Sequence, residues 1–104
     1  MKRIHDKKVL FFSNRLRERV RGVRRVILFG SHARGDARDG SDYDFAVVLE
    51  KKSSKILDDV RMTEVEFLNK FDTLSSSIVF NETEWQKHKK LPIGLNIERE
   101  GIQL

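Results

Sequence analysis

The stretch FGSHARGDARDGSDYDFAVV, residues 29–48, decides how this chain is read. A β-branched run of strand length, Arg24 to Phe29, leads into it and stops at Gly30-Ser31. Residues 30–41 are rich in Gly, Ser, Asp and Arg, which predicts a turn, a short helix and a loop. Tyr43 to Leu49 is a nearly continuous apolar run, the pattern of a strand buried on both faces. The stretch therefore reads as strand, turn, short helix, loop, strand.

Three parts of it carry chemistry. Gly30-Ser31 follows a strand directly. Glycine allows close backbone approach, and serine offers a hydroxyl and an N–H. A strand-to-helix turn leaves N–H groups free, which favours phosphate, and Arg34 and Arg38 could add charge-assisted bonds. The P-loop pattern G-x-x-x-x-G-K-[ST] is absent. The second part is Asp42-x-Asp44 at the head of a strand, where residues i and i+2 point the same way. Two such carboxylates repel each other without a cation and suit Mg²⁺, which takes hard oxygen ligands together with substrate phosphates. The third is spacing. Ten residues separate Ser31 from Asp42, enough for one short helix and a return into the neighbouring strand. Ser41 can hold that loop through a local hydroxyl–backbone bond.

Working outward, Lys7 to Arg21 reads as a helix, with Val9, Phe12, Leu16 and Val20 on one face and Gly22 as its stop. Arg15, Arg17, Arg19 and Arg21 fall largely outside that face and read as a solvated charged surface, with RNA, an acidic partner or substrate phosphates as alternatives. Ser53 to Phe71 is the longest helical pattern, its apolar arc interrupted by Glu64, which either snorkels or marks a bend near Arg61–Thr63. Leu74 to Phe80 reads as a third strand. Asn81 with Glu84 has capping-box spacing for a helix through about Lys90. Ile93 to Arg99 reads as a last helix and Gly101 to Leu104 as an edge strand, although Leu91, Ile93, Leu95 and Ile97 also alternate as a strand would. Trp85 and Phe80 read as a core pair. His32 packs, faces solvent or meets phosphate. The tail from Leu91 onward packs or binds a partner. The order implies an α+β (mixed α/β) fold: a small mixed sheet of three to four strands, helices mainly on one face, one domain over residues 1–104.

Composition agrees. The chain has 104 residues, 38% apolar and 36% charged, enough for one core and too apolar for disorder. It has no Cys, which excludes disulfides and thiolate zinc sites, and its His5, His32 and His88 are scattered. The longest apolar run is five residues, Phe45 to Leu49, so neither a membrane span nor a signal h-region is expected. A protein of the reducing cytoplasm is expected. The net charge is +5, but residues 1–38 carry 12 Lys/Arg against 3 Asp/Glu, while residues 39–104 carry 9 against 13. The sign changes inside the loop between Gly30-Ser31 and Asp42, which argues against a general nucleic-acid binder.

The joint pattern G-S-x10-D-x-D between two apolar strands resembles the nucleotidyltransferase superfamily of DNA polymerase beta. The fuller stretch, residues 29–48, is similar to the minimal nucleotidyltransferases, small cytoplasmic partners of HEPN-domain ribonuclease toxins in prokaryotes. The resemblance implies that Gly30 and Ser31 hold the β- and γ-phosphates of ATP and that Arg34 assists the triphosphate or supports the loop. It implies that Asp42 and Asp44 bind two Mg²⁺ ions. An acceptor hydroxyl would attack the α-phosphorus and release pyrophosphate. A chain this short implies that the acceptor belongs to a partner, a tyrosine of a HEPN toxin silenced by AMPylation, with the chain as antitoxin in a homo- or hetero-oligomer. Family members that are catalytically complete carry a third carboxylate on a later strand, and Leu74 to Phe80 contains none. Three readings stay open: two carboxylates suffice, with a water or partner group as base; Asp72 reaches the metals; or the chain neutralises the toxin by binding alone.

Overall fold

The structure is a computed structural model and describes residues 6–104, so His5 lies outside the described residues. Its elements are α1 (Lys7–Arg19), β1 (Val23–Phe29), α2 (Ser31–Arg34), β2 (Tyr43–Leu49), α3 (Ser54–Phe71), β3 (Ser75–Asn81), α4 (Glu82–His88), α5 (Pro92–Glu100) and β4 (Ile102–Gln103). The four strands form one mixed sheet in the order β3-β2-β1-β4. β1 runs antiparallel to β2 and β4, whereas β2 and β3 are parallel. A parallel pair needs a crossover, and α3 is that crossover.

β2 is the spine. Phe45 to Leu49 are fully buried, because alternate side chains enter two different cores. Tyr43, Phe45, Val47 and Leu49 meet Val9, Phe12 and Leu16 of α1 and Val60 and Phe67 of α3. Phe12 stacks on Phe45 at 3.9 Å between ring centroids. Ala46 and Val48 face the opposite way and pack with Ile27, Phe80, Trp85 and Ile97. The two long helices thus cover one face, and the shorter α4 and α5 cover the other.

Local chemistry sets the boundaries. Asp6 caps α1 by accepting from the Lys8 N–H at 2.9 Å. α1 ends at Arg19, two residues before the expected end, because Val20 turns extended to bury its side chain. Ser53 caps α3, which runs without a break through Glu64. One Glu64 oxygen accepts from Arg61 at 2.9 Å, and the other is buried without a partner. Asn81 and Glu84 form the expected capping box at the start of α4. The alternation from Leu91 to Ile97 is not a strand. Pro92 opens α5, Ile97 is buried, and Leu91, Ile93 and Leu95 stay exposed. Gly94 lets α5 press against the end of α4, where a Cβ would strike the His88 carbonyl. Among the described residues no helix is long and apolar enough to cross a membrane.

Candidate active site

The expected turn forms where β1 ends. The register pairs Phe29 with Asp44, so the next residue, Gly30, lies against the Asp44 side chain. Gly30 has φ +77°, and a Cβ placed there would collide with an Asp44 carboxylate oxygen. Two independent demands, left-handed backbone and contact distance, thus select glycine. The Gly30 carbonyl accepts from the N–H groups of Ala33 (3.1 Å) and Arg34 (3.0 Å), which winds α2 into one turn. Gly35, also left-handed, closes it by donating to the Ser31 carbonyl at 3.0 Å.

The loop back to β2 is braced at both ends. The Ser41 hydroxyl accepts from the Arg38 N–H at 3.0 Å, as its position suggested. His32 meets the Ser41 carbonyl through Nε2 at 2.9 Å and stacks on Tyr43, 3.6 Å between centroids and nearly parallel. The Tyr43 hydroxyl donates to Asp6 at 2.7 Å, and burial with that bond raises its pKa well above the ordinary value. His32 is therefore a packing residue. Its ring spans the ten-residue gap and locks the turn carrying Ser31 to the strand carrying Asp42 and Asp44. Sequence reasoning missed Tyr43 and Asp6 in this role.

Asp42 is exposed and Asp44 half-buried. Burial, and then the neighbouring Asp42 charge, push the Asp44 carboxyl above its usual pKa, while His32 and Arg34 pull it down. A desolvated carboxylate beside a second one is a setting that a divalent cation relieves. The donor set is hard oxygen, so the residues fit Mg²⁺, with phosphate and water completing its shell. Ser76 of β3 is the register partner of Asp44 and shares its face, so serine stands beside the pair where a third carboxylate could sit. Asp72 caps the end of α3 in left-handed conformation, and its N–H donates to the Leu68 carbonyl at 2.8 Å. The structure does not bring it to the pair. Among the described residues no group of three His, Cys, Asp or Glu could hold a metal.

Arg34 points along the turn and is shared by two carboxylates. Its Nε donates to Asp36 at 3.2 Å and its Nη1 to both oxygens of Glu100 at 3.2 Å, which raises its pKa. Glu100 also accepts from the Gly30 N–H at 3.1 Å. Sequence reasoning missed Glu100. The signal available was a carboxylate in the last turn of a helix, where the helix dipole disfavours it. The arginines of α1 are engaged within the protein: Arg15 and Arg19 with Glu66, and Arg17 with the Leu104 carbonyl. Trp85 packs on Phe80 in the core at 5.3 Å between centroids.

Residues 12–100 match the nucleotidyltransferase domain. Over 97 residues the chain is 30% identical to "Putative protein adenylyltransferase MJ0604" of Methanocaldococcus jannaschii, covering 92% of this chain and 93% of that protein. The fold resembles the crystal structure of a toxin-antitoxin with AMP-PNP, with TM-score 0.68 at 17% identity over 96% of this chain and 72% of that one. It also resembles the "putative nucleotidyltransferase from Sulfolobus solfataricus", with TM-score 0.59 at 21% identity over 93% and 76% of the two chains. With the match spanning most of its length, the G-S turn and the paired aspartates fall inside the shared domain, and the chain belongs to the nucleotidyltransferase domain family.

Proposed function

We propose that this chain is a Mg²⁺-dependent nucleotidyltransferase of the cytoplasm that moves AMP from ATP onto a hydroxyl of a partner protein. The acceptor is a tyrosine of a HEPN toxin, and the chain is the antitoxin. The observation that carries the reading is the contact between Gly30 and Asp44, where a phosphate-binding turn and a metal-binding carboxylate meet. The relative named "Putative protein adenylyltransferase" supports a protein acceptor, and the toxin-antitoxin neighbour with AMP-PNP supports ATP and a toxin partner.

Gly30 and Ser31 hold the β- and γ-phosphates, and Arg34 adds charge. Asp42 and Asp44 hold two Mg²⁺ ions, which when bound neutralise charge on the α-phosphate and the departing pyrophosphate. The acceptor oxygen bonds to the α-phosphorus. The bond from that phosphorus to the bridging oxygen breaks, and pyrophosphate leaves with the electron pair. The hydroxyl proton passes to water or to a group of the partner, since Ser76 offers no carboxylate. The protein contributes position and charge rather than covalent chemistry.

Ser76 also supports a second reading, a module with weak or no catalysis that neutralises the toxin by contact. One experiment separates the two. The protein is incubated with α-labelled ATP, Mg²⁺ and the co-encoded toxin, and label and toxin activity are both measured. The enzyme reading expects label on the toxin, lost with D42N/D44N together with neutralisation. Neutralisation that survives the double change without label establishes the binding module instead.

A further inference from the structure

Resting on the nucleotidyltransferase reading above, we infer that Glu100 occupies the triphosphate seat in the free protein and sets nucleotide affinity because it must leave. Its carboxylate takes the two groups that a phosphate on this turn would use. One oxygen accepts from the Gly30 N–H at 3.1 Å, and both accept from the Arg34 guanidinium at 3.2 Å. A two-oxygen anion bound by a backbone N–H and an arginine is a small copy of a bound phosphate. The contact does nothing for α5 itself, because a negative charge in the last turn opposes the helix dipole.

The surroundings allow the carboxylate to move. A cavity of about 460 Å³ opens beside it, lined also by Arg34, Arg99, Gly101 and Gln103. Arg99 offers a cation on that side. The chain also gains by the exchange. Asp36 and Glu100 both accept from Arg34, and Glu100 and Asp42 add negative charge at Asp44, so an incoming triphosphate meets carboxylates around this turn. Swinging Glu100 out removes one of those charges and frees the Gly30 N–H and Arg34 in a single step. The apparent affinity is then the intrinsic affinity multiplied by the fraction of molecules in which Glu100 has left.

The test is calorimetric titration of the full chain with Mg-ATP and with Mg-tripolyphosphate. Wild type, Glu100→Ala and Glu100→Gln are compared, each checked for folding by circular dichroism. Glu100→Ala should bind Mg-ATP roughly tenfold more tightly. Glu100→Gln keeps an acceptor for Gly30 but loses the negative charge that faces Arg34, and should gain about threefold. Tripolyphosphate should gain by the same factors, because the contested groups touch phosphate and not the base. Unchanged or weaker binding in the variants overturns the inference and makes Glu100 an organiser of the turn, with the nucleotidyltransferase reading intact. If no protein of the three binds either probe, both fall. Should Glu100→Ala fail to fold, the near-isosteric Glu100→Gln decides alone.

Discussion

At the scale of single residues, the site is governed by one contact. Gly30 is pressed against Asp44 with φ +77°, so any side chain there would both strain the backbone and displace the Asp44 carboxylate, which we propose as a metal ligand. Gly30→Ala should cost about 1–3 kcal/mol of folding stability. It should also weaken Mg-ATP binding more than it weakens folding, because Asp44 holds Mg²⁺ in the proposed function. Urea denaturation and ATP titration on the same sample check both effects, and wild-type values in each would show that Asp44 can rotate clear without consequence. The identity of the pair was legible in the sequence because Gly30, Ser31, Asp42 and Asp44 sit at fixed offsets around two strands. Glu100 was not legible. It lies 70 residues from Gly30 in sequence, and only the return of α5 along the sheet brings the two together.

At the scale of elements, local rules predicted most boundaries. β2 begins and ends at Tyr43 and Leu49 as the apolar run suggested, because every residue from Phe45 onward is needed in one core or the other. The α5 segment was ambiguous in sequence. Its apolar residues fit period two, and the deciding facts were Pro92 at the first helical position and the close approach that Gly94 permits. The α4 capping box carries a pH prediction. The Asn81 backbone N–H, and after it Lys52, hold the Glu84 carboxyl below its ordinary pKa. A depressed folded pKa contributes stability above the unfolded value of about 4.3, and that contribution is lost as pH falls through the folded value. The side chain is 40% exposed, so solvent screening keeps the effect small, below about 1 kcal/mol. The melting temperature of Glu84→Gln should therefore lie slightly below wild type at neutral pH, and the gap should close as the pH falls through the lowered folded value. A gap that persists unchanged in acid would assign the difference to shape rather than charge.

At the scale of the whole molecule, the sheet separates two apolar clusters that share β2. Sequence periodicity located the apolar faces of α1 and α3. It did not say that α4 and α5 would form a second layer, because that depends on which way the chain leaves β3. Since Phe45, Val47 and Leu49 serve one layer and Ala46 and Val48 the other, neither layer can melt while the other keeps its strand. One cooperative transition is expected. The chain is equipped to report it optically. It has a single tryptophan and a single tyrosine. Trp85 is buried in the α4–α5 layer against Phe80, and Tyr43 is buried in the α1–α3 layer between His32 and Asp6. Each layer thus carries its own chromophore, with no label to introduce. Trp85 emission and Tyr43 ultraviolet absorbance, followed through one urea titration, should give the same midpoint. Separate midpoints would mean that the layers unfold independently. Only Tyr43 is stacked on His32, the residue that follows the G-S turn, so a signal that moves on ATP addition in the tyrosine band alone would place the disturbance on the side of the sheet braced by His32.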